Sequence, residues 1–364
     1  MELHRPDLME RNRSLFVIGV VVLISVAVLF PGRLPPENRL RWRDPSPGLR
    51  FGGIAQALSE RPIVTTTGGL TFEIWLAPGF VPGVGNQEIL SFYDEEFIRP
   101  LLLGQFPRGF ILRGREDNPK GDPRDDYYIR TGDAGLENPS QLRHLAVTVG
   151  ASGARLHVNG EPTRLVLPMT QAQPGTPFGG HLMLGSSSTG WPHWSGGMLG
   201  VSVHERELSQ DELRDHARSP DVLTEPEFFE DGSLLALYRF DEGQGDRTRS
   251  AEARGPELHF PDRITRPTRP NMLSVYSFGQ NGGRWLPTDV VLNVLGFIPL
   301  GIAFCWRRRS AFLWLALAAG FSLSLSLEVM QSVIPGRSSS MVDLLSNSVG
   351  VLAGGLLTRF WPAR

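Results

Sequence analysis

The chain has 364 residues, with 36 Lys plus Arg against 38 Asp plus Glu and a formal net charge of -2. That length suits two domains of ordinary size, and the even charge balance excludes a general affinity for nucleic acid or for an anionic surface. Cys305 is the single cysteine, so no intrachain disulfide can form; a domain outside the cytoplasm must then rest on core burial, which a sandwich of roughly 200 residues can supply.

The apolar residues are concentrated at the two ends. Residues 1–14 form a polar N-terminus, and Leu15 to Phe30, LFVIGVVVLISVAVLF, carries no charge before Pro31, Gly32 and Arg33 end it. This run predicts a first transmembrane helix over 15–30. No small-x-small cleavage site follows, which favours an uncleaved anchor over a cleaved signal peptide. Residues 31–49 read as a linker on the way out.

From 50 to 261 the pattern changes to short strands. LTFEIWL at 70–76 alternates with period two. Further strand candidates are 88–93, 101–106, 110–115, 127–131, 144–149, 154–158, 164–167, 181–185 and 198–204. Asn159-Gly160 is a tight-turn signal, and Ser209-Gln210-Asp211-Glu212 is a capping box opening a helix over 208–217. Many short strands separated by turns predict an all-β sandwich. In the loop Gly190-Trp191-Pro192-His193-Trp194, the candidate glycan-binding residues are Trp191, His193 and Trp194. Their rings could stack on a sugar, or they could pack beneath the loop. Asp94, Glu95 and Glu96, with Asp122, Asp125 and Asp126, are acidic enough for calcium, although no diagnostic ligand spacing sets them apart from solvated loop charge. No other metal or cofactor is expected: there is no phosphate loop, thiol centre or zinc spacing.

Residues 262–287 form a second linker. Three apolar segments follow at about 288–306, 311–334 and 341–360, each near the ~20 residues that span a bilayer. Arg11 and Arg13, Arg307 to Arg309, and Arg359 with Arg364 all fall on one side if the chain spans four times. That side is cytoplasmic by the positive-inside rule, so both termini are inside and the sandwich is extracytoplasmic.

The three segments carry polar pairs at helical spacing: Asp289 with Asn293, Glu328 with Gln331, and Asp343 with Asn347. Each pair shares a helix face at the outer end of its helix, and Arg337 lies in the outer loop between the last two segments. Charged residues within hydrocarbon are expensive and normally face a bundle interior or a wet cavity. These seven residues are therefore a candidate polar membrane site. The alternative is that they join the helices by hydrogen bonds, with Asp289 and Asp343 as helix caps.

Two family resemblances emerge from these motifs. LTFEIWLAP at 70–78, RHLAVTVGASGARLHVNGE at 143–161 and LMLGSSSTGWPHWSGGMLGVSVHERELSQDELRDH at 182–216 resemble the concanavalin A-like, laminin-G-like jelly roll. In many such domains the strand that LLALYRFDEGQG at 234–245 resembles comes first. Here it comes last, and it is expected to pair with the strand near Leu49 to Ile54. DVVLNVLGFIPLG at 289–301, SLSLSLEVMQSVIPGRSSSMVD at 322–343 and LLSNSVGVLAGGLL at 344–357 resemble the VanZ-like membrane domain. Its pattern is matched at Asp289, Asn293, Pro299, Gly301, Glu328, Gln331, Arg337, Asp343, Asn347 and Gly350. The resemblance implies a link to resistance against glycopeptide antibiotics of the teicoplanin type. It also implies that the sandwich is inserted into the first outer loop of the domain.

The combined expectation is an α + β multidomain protein: a four-helix VanZ-like transmembrane bundle with an extracytoplasmic jelly-roll sandwich. It would sit in a bacterial inner membrane as a multi-pass protein. Its partners would be the bilayer and an envelope glycan or lipid-linked precursor. Two other readings stay open. One is a membrane-embedded enzyme acting on lipid-linked cell-wall intermediates, with Glu328 or Asp343 as acid or base. The other is a structural anchor for an adhesion module.

Overall fold

The computed structural model describes residues 35–79, 86–93, 101–115, 126–130, 141–168, 174–186, 193–265, 272–273, 287–306, 312–332 and 339–360, apart from 46, 108, 227 and 229–231, together with Gly19, Val21 and Leu23. The chain divides into two compact units. One is Pro35–Arg269; the other joins the N-terminal residues to 270–364.

The first unit is built from strands β1 (Leu40–Trp42), β2 (Leu49–Gly52), β3 (Ala57–Ser59), β4 (Ile63–Thr65), β5 (Leu70–Pro78), β6 (Gln87–Tyr93), β7 (Leu101–Phe106), β8 (Gly109–Arg115) and β9 (Asp126–Arg130). It continues with β10 (Arg143–Gly150), β11 (Gly153–Val158), β12 (Glu161–Leu167), β13 (Phe178–Leu184), β14 (Ser195–His204), β15 (Leu234–Tyr238), β16 (Arg247–Thr248) and β17 (Leu258–His259). One sheet runs β1-β2-β14-β5-β10-β11-β12, with β15 also on β14. The other runs β16-β17-β3-β13-β6-β7-β8-β9, with β4 on β13.

Their inner faces form one core that includes Phe51, Phe72, Phe92, Leu103, Val147 and Leu182. Phe72 of the first sheet meets Phe92 of the second edge-on at 5.8 Å between ring centroids, which suits the aromatic quadrupole. Two hairpins follow from local chemistry. Gly153 takes φ +108° between β10 and β11. Asn159 and Gly160 take φ 51° and 78° between β11 and β12, the doubly positive turn that Asn-Gly favours.

The unit reaches beyond 50–261 at both ends. Residues read as linker supply β1, which pairs with β2. Where the chain enters and leaves the sandwich, its two ends pair with each other. Glu37 and Arg263 form an antiparallel bridge, Asn38 N–H donates to Asp262 O at 2.9 Å, and Ile264 N–H donates to Pro36 O at 2.9 Å.

The expected pairing of 234–245 with the strand near Leu49 is corrected. β2 bonds Ser195 to Met198 of β14, while β15 bonds Val201 to His204 of the same strand. β14 has ten residues, enough for the two short strands to lie end to end along one edge. Just outside the two strands, Gly48 N–H donates to Phe240 O at 2.8 Å.

Alternation along β5 points Phe72, Ile74 and Leu76 inward and Thr71, Glu73 and Trp75 outward, yet every one of these residues is buried. The outer face is covered by helix α1 (Gln210–His216), whose capping box of Ser209 and Glu212 is formed as read from the sequence. A short 3₁₀ turn at Pro220–Thr224 follows α1. Trp75, Leu223, Phe228, Leu234 and Leu237 pack there as a separate apolar cluster.

The second unit holds helices α2 (Pro287–Cys305), α3 (Leu313–Ser332) and α4 (Met341–Leu357). All three helices are long and apolar enough to cross a membrane. Leu292, Leu295, Trp314, Leu345, Val349 and Phe360 point outward, a surface that hydrocarbon suits and water does not. Of the expected first span, Gly19, Val21 and Leu23 are helical, and Val21 packs on the cluster of Phe297, Leu300 and Val351. The rest of 15–30 lies outside the described residues.

Glycine sets how closely α2 and α4 approach. A Cβ on Gly301 would run into Val351 O, one on Gly350 into Val294 O, and one on Gly354 into Ile298 O. Small residues at a membrane crossing bring backbones together where no hydrophobic effect drives association. Gly354→Ala should therefore destabilise the detergent-solubilised protein by about 1–3 kcal/mol. Gly296→Ala, with nothing within 4 Å of its Cβ, should be neutral or gain up to about 1 kcal/mol of helix propensity. Thermal unfolding of both variants checks this, and equal effects would show that the crossing does not depend on glycine.

Candidate functional site

Ser324, Glu328 and Gln331 follow one another along α3 at helical spacing, and all are buried. Glu328 is only 3% exposed. Its Oε2 accepts the Ser340 N–H at 2.7 Å. Ser340 is the N-cap of α4, and its hydroxyl accepts from Val342 N at 3.2 Å and Asp343 N at 3.4 Å. The carboxylate thus sits at the end of α4 where unpaired N–H groups and the positive end of the helix dipole favour an anion.

One turn of α3 away, Asn347 Nδ2 donates to Ser324 Oγ at 2.9 Å, while Asn347 Oδ1 is buried with no partner. One turn earlier on the same face of α4, Asn293 Nδ2 donates to Asp343 Oδ1 at 2.9 Å and ties α2 to α4. Of the seven residues read from the sequence, Asn293 and Asp343 bond to each other, Glu328 bonds the N-cap of α4, Asn347 bonds Ser324 of α3, and Gln331 is buried one turn beyond Glu328. Asp289, in the first turn of α2, is exposed, and Arg337 lies outside the described residues. The sequence reading missed Ser324 and Ser340. A serine one turn before Glu328, and another three before Asp343 in cap position, were the available signals.

The aromatic loop of the sandwich is corrected. Trp194 is completely buried. It lies against Phe51 at 5.4 Å between ring centroids, and its Nε1–H donates to Gln105 Oε1 at 2.7 Å. His193 is buried beside it and bridges to Glu88. Neither ring presents a face to a sugar, because both belong to the core at the start of β14. Gly196, two residues on, is the sequence signal: a Cβ there would strike the Trp194 ring. Trp191 lies outside the described residues, as do Asp94, Glu95, Glu96, Asp122 and Asp125. Asp126 opens β9. Among the described residues, no group of three or more His, Cys, Asp or Glu is placed to hold a metal ion.

The most tightly bonded polar constellation was not singled out from the sequence. Glu73 is fully buried in the middle of β5. His144 Nε2 from β10 lies 2.9 Å from its Oε1. His216 Nδ1 from α1 lies 3.0 Å from each of its oxygens. His204 Nε2 from β14 lies 3.4 Å from Oε2, and Ser202 Oγ donates to the same oxygen at 3.1 Å. The His144 ring stacks at a tilt on Trp75, 4.8 Å away, and the Trp75 Nε1–H donates to His216 O at 3.1 Å. Burial alone would raise the carboxyl pKa. The hydrogen bonds from His144, His204 and His216 outweigh it and hold Glu73 well below the usual carboxylate range. The ring nitrogens are turned onto the carboxylate oxygens, so the cluster is a hydrogen-bond network centred on Glu73.

Residues 51–214 match the model of the concanavalin A-like lectin/glucanases superfamily, and residues 237–362 match that of VanZ/LLP1. The second match begins inside β15, so its first part lies in the sandwich unit and its helices are α2 to α4. No curated protein matches the chain. Among solved structures, the chain is similar to Trypanosoma rangeli sialidase, with 17% identity, a TM-score of 0.38 and 48% of this chain covered. It spans only 28% of that sialidase. It is similar to a SAP-like pentraxin from Limulus polyphemus at 12% identity and TM-score 0.35, over 47% of this chain and 79% of that one. It is also similar to the CBM40 of the Ruminococcus gnavus IT-sialidase at 16% identity and TM-score 0.33, over 46% of this chain and all of that one.

Burial of the sandwich histidines has a consequence for pH. Desolvation pushes both His157 and His193 down to about 4, whereas an unfolded histidine titrates near 6.5. Between those values the unfolded chain binds protons that the folded chain does not, so stability falls as pH drops from about 6.5 towards 4, by at most roughly 3 kcal/mol per histidine. Glu73 adds a later loss, below the ordinary carboxylate range, as its depressed folded pKa is approached. Denaturant midpoints across this range should show the decline, and a His193→Gln variant should flatten it. A midpoint independent of pH between these limits would refute the assignment.

Proposed function

We propose that this is a cell-envelope membrane protein with two binding parts. The sandwich lies outside the cytoplasm and binds a glycan or a protein surface. The VanZ-like helices form an outward-facing polar site for a lipid-linked or glycopeptide-like envelope ligand. The observation that carries the second part is Glu328: a carboxylate buried in an apolar helix, at the N-terminus of α4, with Gln331, Ser324 and Asn347 along the same polar strip. Ionisable residues within membrane helices are costly and are usually retained for function; Glu328 lies one turn from the C-terminal end of α3. The concanavalin A-like match supports the first part. Its glycan contacts would come from residues other than Trp194 and His193, whose rings are enclosed; Trp191 is the remaining aromatic candidate of that loop.

A second reading is favoured by two specific contacts. Asn293 with Asp343 and Asn347 with Ser324 are hydrogen bonds between helices, so these four side chains also serve to tie α2 and α3 to α4. Glu328→Gln separates the readings, because it removes the charge and keeps the shape. The protein in detergent would be screened against envelope glycans and lipid-linked cell-wall intermediates. Under the binding reading, Glu328→Gln loses at least about tenfold in affinity, ~1.4 kcal/mol, with an unchanged melting temperature. An equal loss of melting temperature and abundance, with no ligand bound by either protein, would leave an architectural role only.

A further inference from the structure

Three imidazoles around one carboxylate limit how much positive charge the outer face of the sandwich can hold. Glu73 supplies one negative charge. One imidazolium among His144, His204 and His216 would balance it. A second would place an uncompensated cation where the sheet and α1 exclude water, which is costly. Among the described residues no other carboxylate bonds to the three rings. On α1, Asp211 and, across from it, Glu161 on β12 pair with Arg214, and Asp215 pairs with Arg218. Ser202, Trp75 and Phe228 are uncharged. Ser233 Oγ, 3.5 Å from His204 Nδ1, is neutral as well. His157 on β11 faces Thr148 of β10 and would add positive charge if it protonated.

The three histidines are not held alike. His144 and His204 have side chains 1% exposed and sit on β10 and β14, each bonded to strands on both sides. His216 is 16% exposed and ends α1, a helix of seven residues. A helix that short does not persist without its packing. Its other attachments are Leu208 and Leu213 on Ala146, Gln210 on Gly160 O, the His216 carbonyl on Trp75, and two solvent-exposed ion pairs, Arg214 with Glu161 of β12 and Glu212 with Arg206, of a kind that contributes little. Excess positive charge is therefore relieved most easily by letting His216 go.

We propose that the Glu73 cluster is an acid-sensitive latch: gain of a second proton releases His216, frees α1 and the 220–224 turn from the sheet, and uncovers an apolar surface of Trp75, Leu234 and Leu237. This release precedes unfolding of the sandwich, because the strands keep their ladders and their inner core. Glu73 acts here as the charge that sets how many protons the site tolerates, and His216 as the hinged contact.

Amide hydrogen exchange on the full-length protein in detergent, corrected for intrinsic rates, tests this between about pH 7.5 and pH 5. Residues 210–224 should lose at least about tenfold in protection while β5, β10 and β14 retain theirs. Glu73→Gln removes the one balancing charge and should open α1 at higher pH than the wild type. His216→Asn removes a titrating ring and should keep α1 protected to lower pH, and it carries the test alone if Glu73→Gln does not fold. Loss of protection in α1 and strands together would overturn the latch in favour of acid unfolding of the whole sandwich. So would an α1 that stays protected throughout, or a His216→Asn variant that opens at the same pH as the wild type.

Discussion

A carboxylate can leave water only if something replaces the hydrogen bonds it gave up, and each unit of this protein is arranged around one such group. In the sandwich, Glu73 is served by side chains: three imidazoles and a hydroxyl brought in by β10, β14 and α1. In the helical unit, Glu328 is served by backbone, the N–H of the residue that caps α4. The first set of donors includes imidazoles, whose protonation would change the charge of the Glu73 site, whereas the backbone amide at Glu328 keeps its proton over the whole physiological range. Removing either carboxylate's partners would leave a buried charge, which is more damaging than losing an ordinary hydrogen bond.

That constraint also decides where the helices touch. α4 must bring its N-cap to Glu328, its Asn347 to Ser324 and its Asp343 to Asn293. Asp343 and Asn347 share one face of α4 and reach different neighbours, α2 and α3, and glycines at 301, 350 and 354 let α2 and α4 approach closely enough for the polar pairs to reach. Polar pairing and small-residue packing are thus one device, in which the bonds specify register and the glycines set distance.

Much of this was legible in the sequence because the signals are local. Asn159-Gly160 needs two positive φ angles, and Ser209 with Glu212 satisfies the first N–H groups of α1; both act within four residues. The three helices declare themselves by length and apolarity. The motif residues Glu328, Asp343 and Asn347 lie on helix faces that spacing alone can assign. What was not legible depends on cover. Period two shows that Glu73 and Trp75 point away from the inner core, and an outward polar residue ordinarily means solvent. Here α1, arriving more than 130 residues later, turns that outer face into an interior. Trp194 misled in the opposite sense. An aromatic in a Gly- and Pro-rich stretch looks like a loop tip, but Trp194 immediately precedes β14 and fills the core. The place of β15 was half visible: its neighbourhood to β2 was right, but no local pattern says that two short strands share one long one.

The paired ends of the sandwich have a mechanical meaning. Glu37 bridges Arg263, and Pro36 and Asn38 bond their opposite numbers, so the two tethers leave side by side and antiparallel. A pull applied through both tethers loads these few hydrogen bonds one after another, like opening a zip, and does not shear the long strands behind them. The tethers can lengthen under load while the sandwich stays folded. Because the two ends of the sandwich already meet, they would accept a short connection in place of the domain between them.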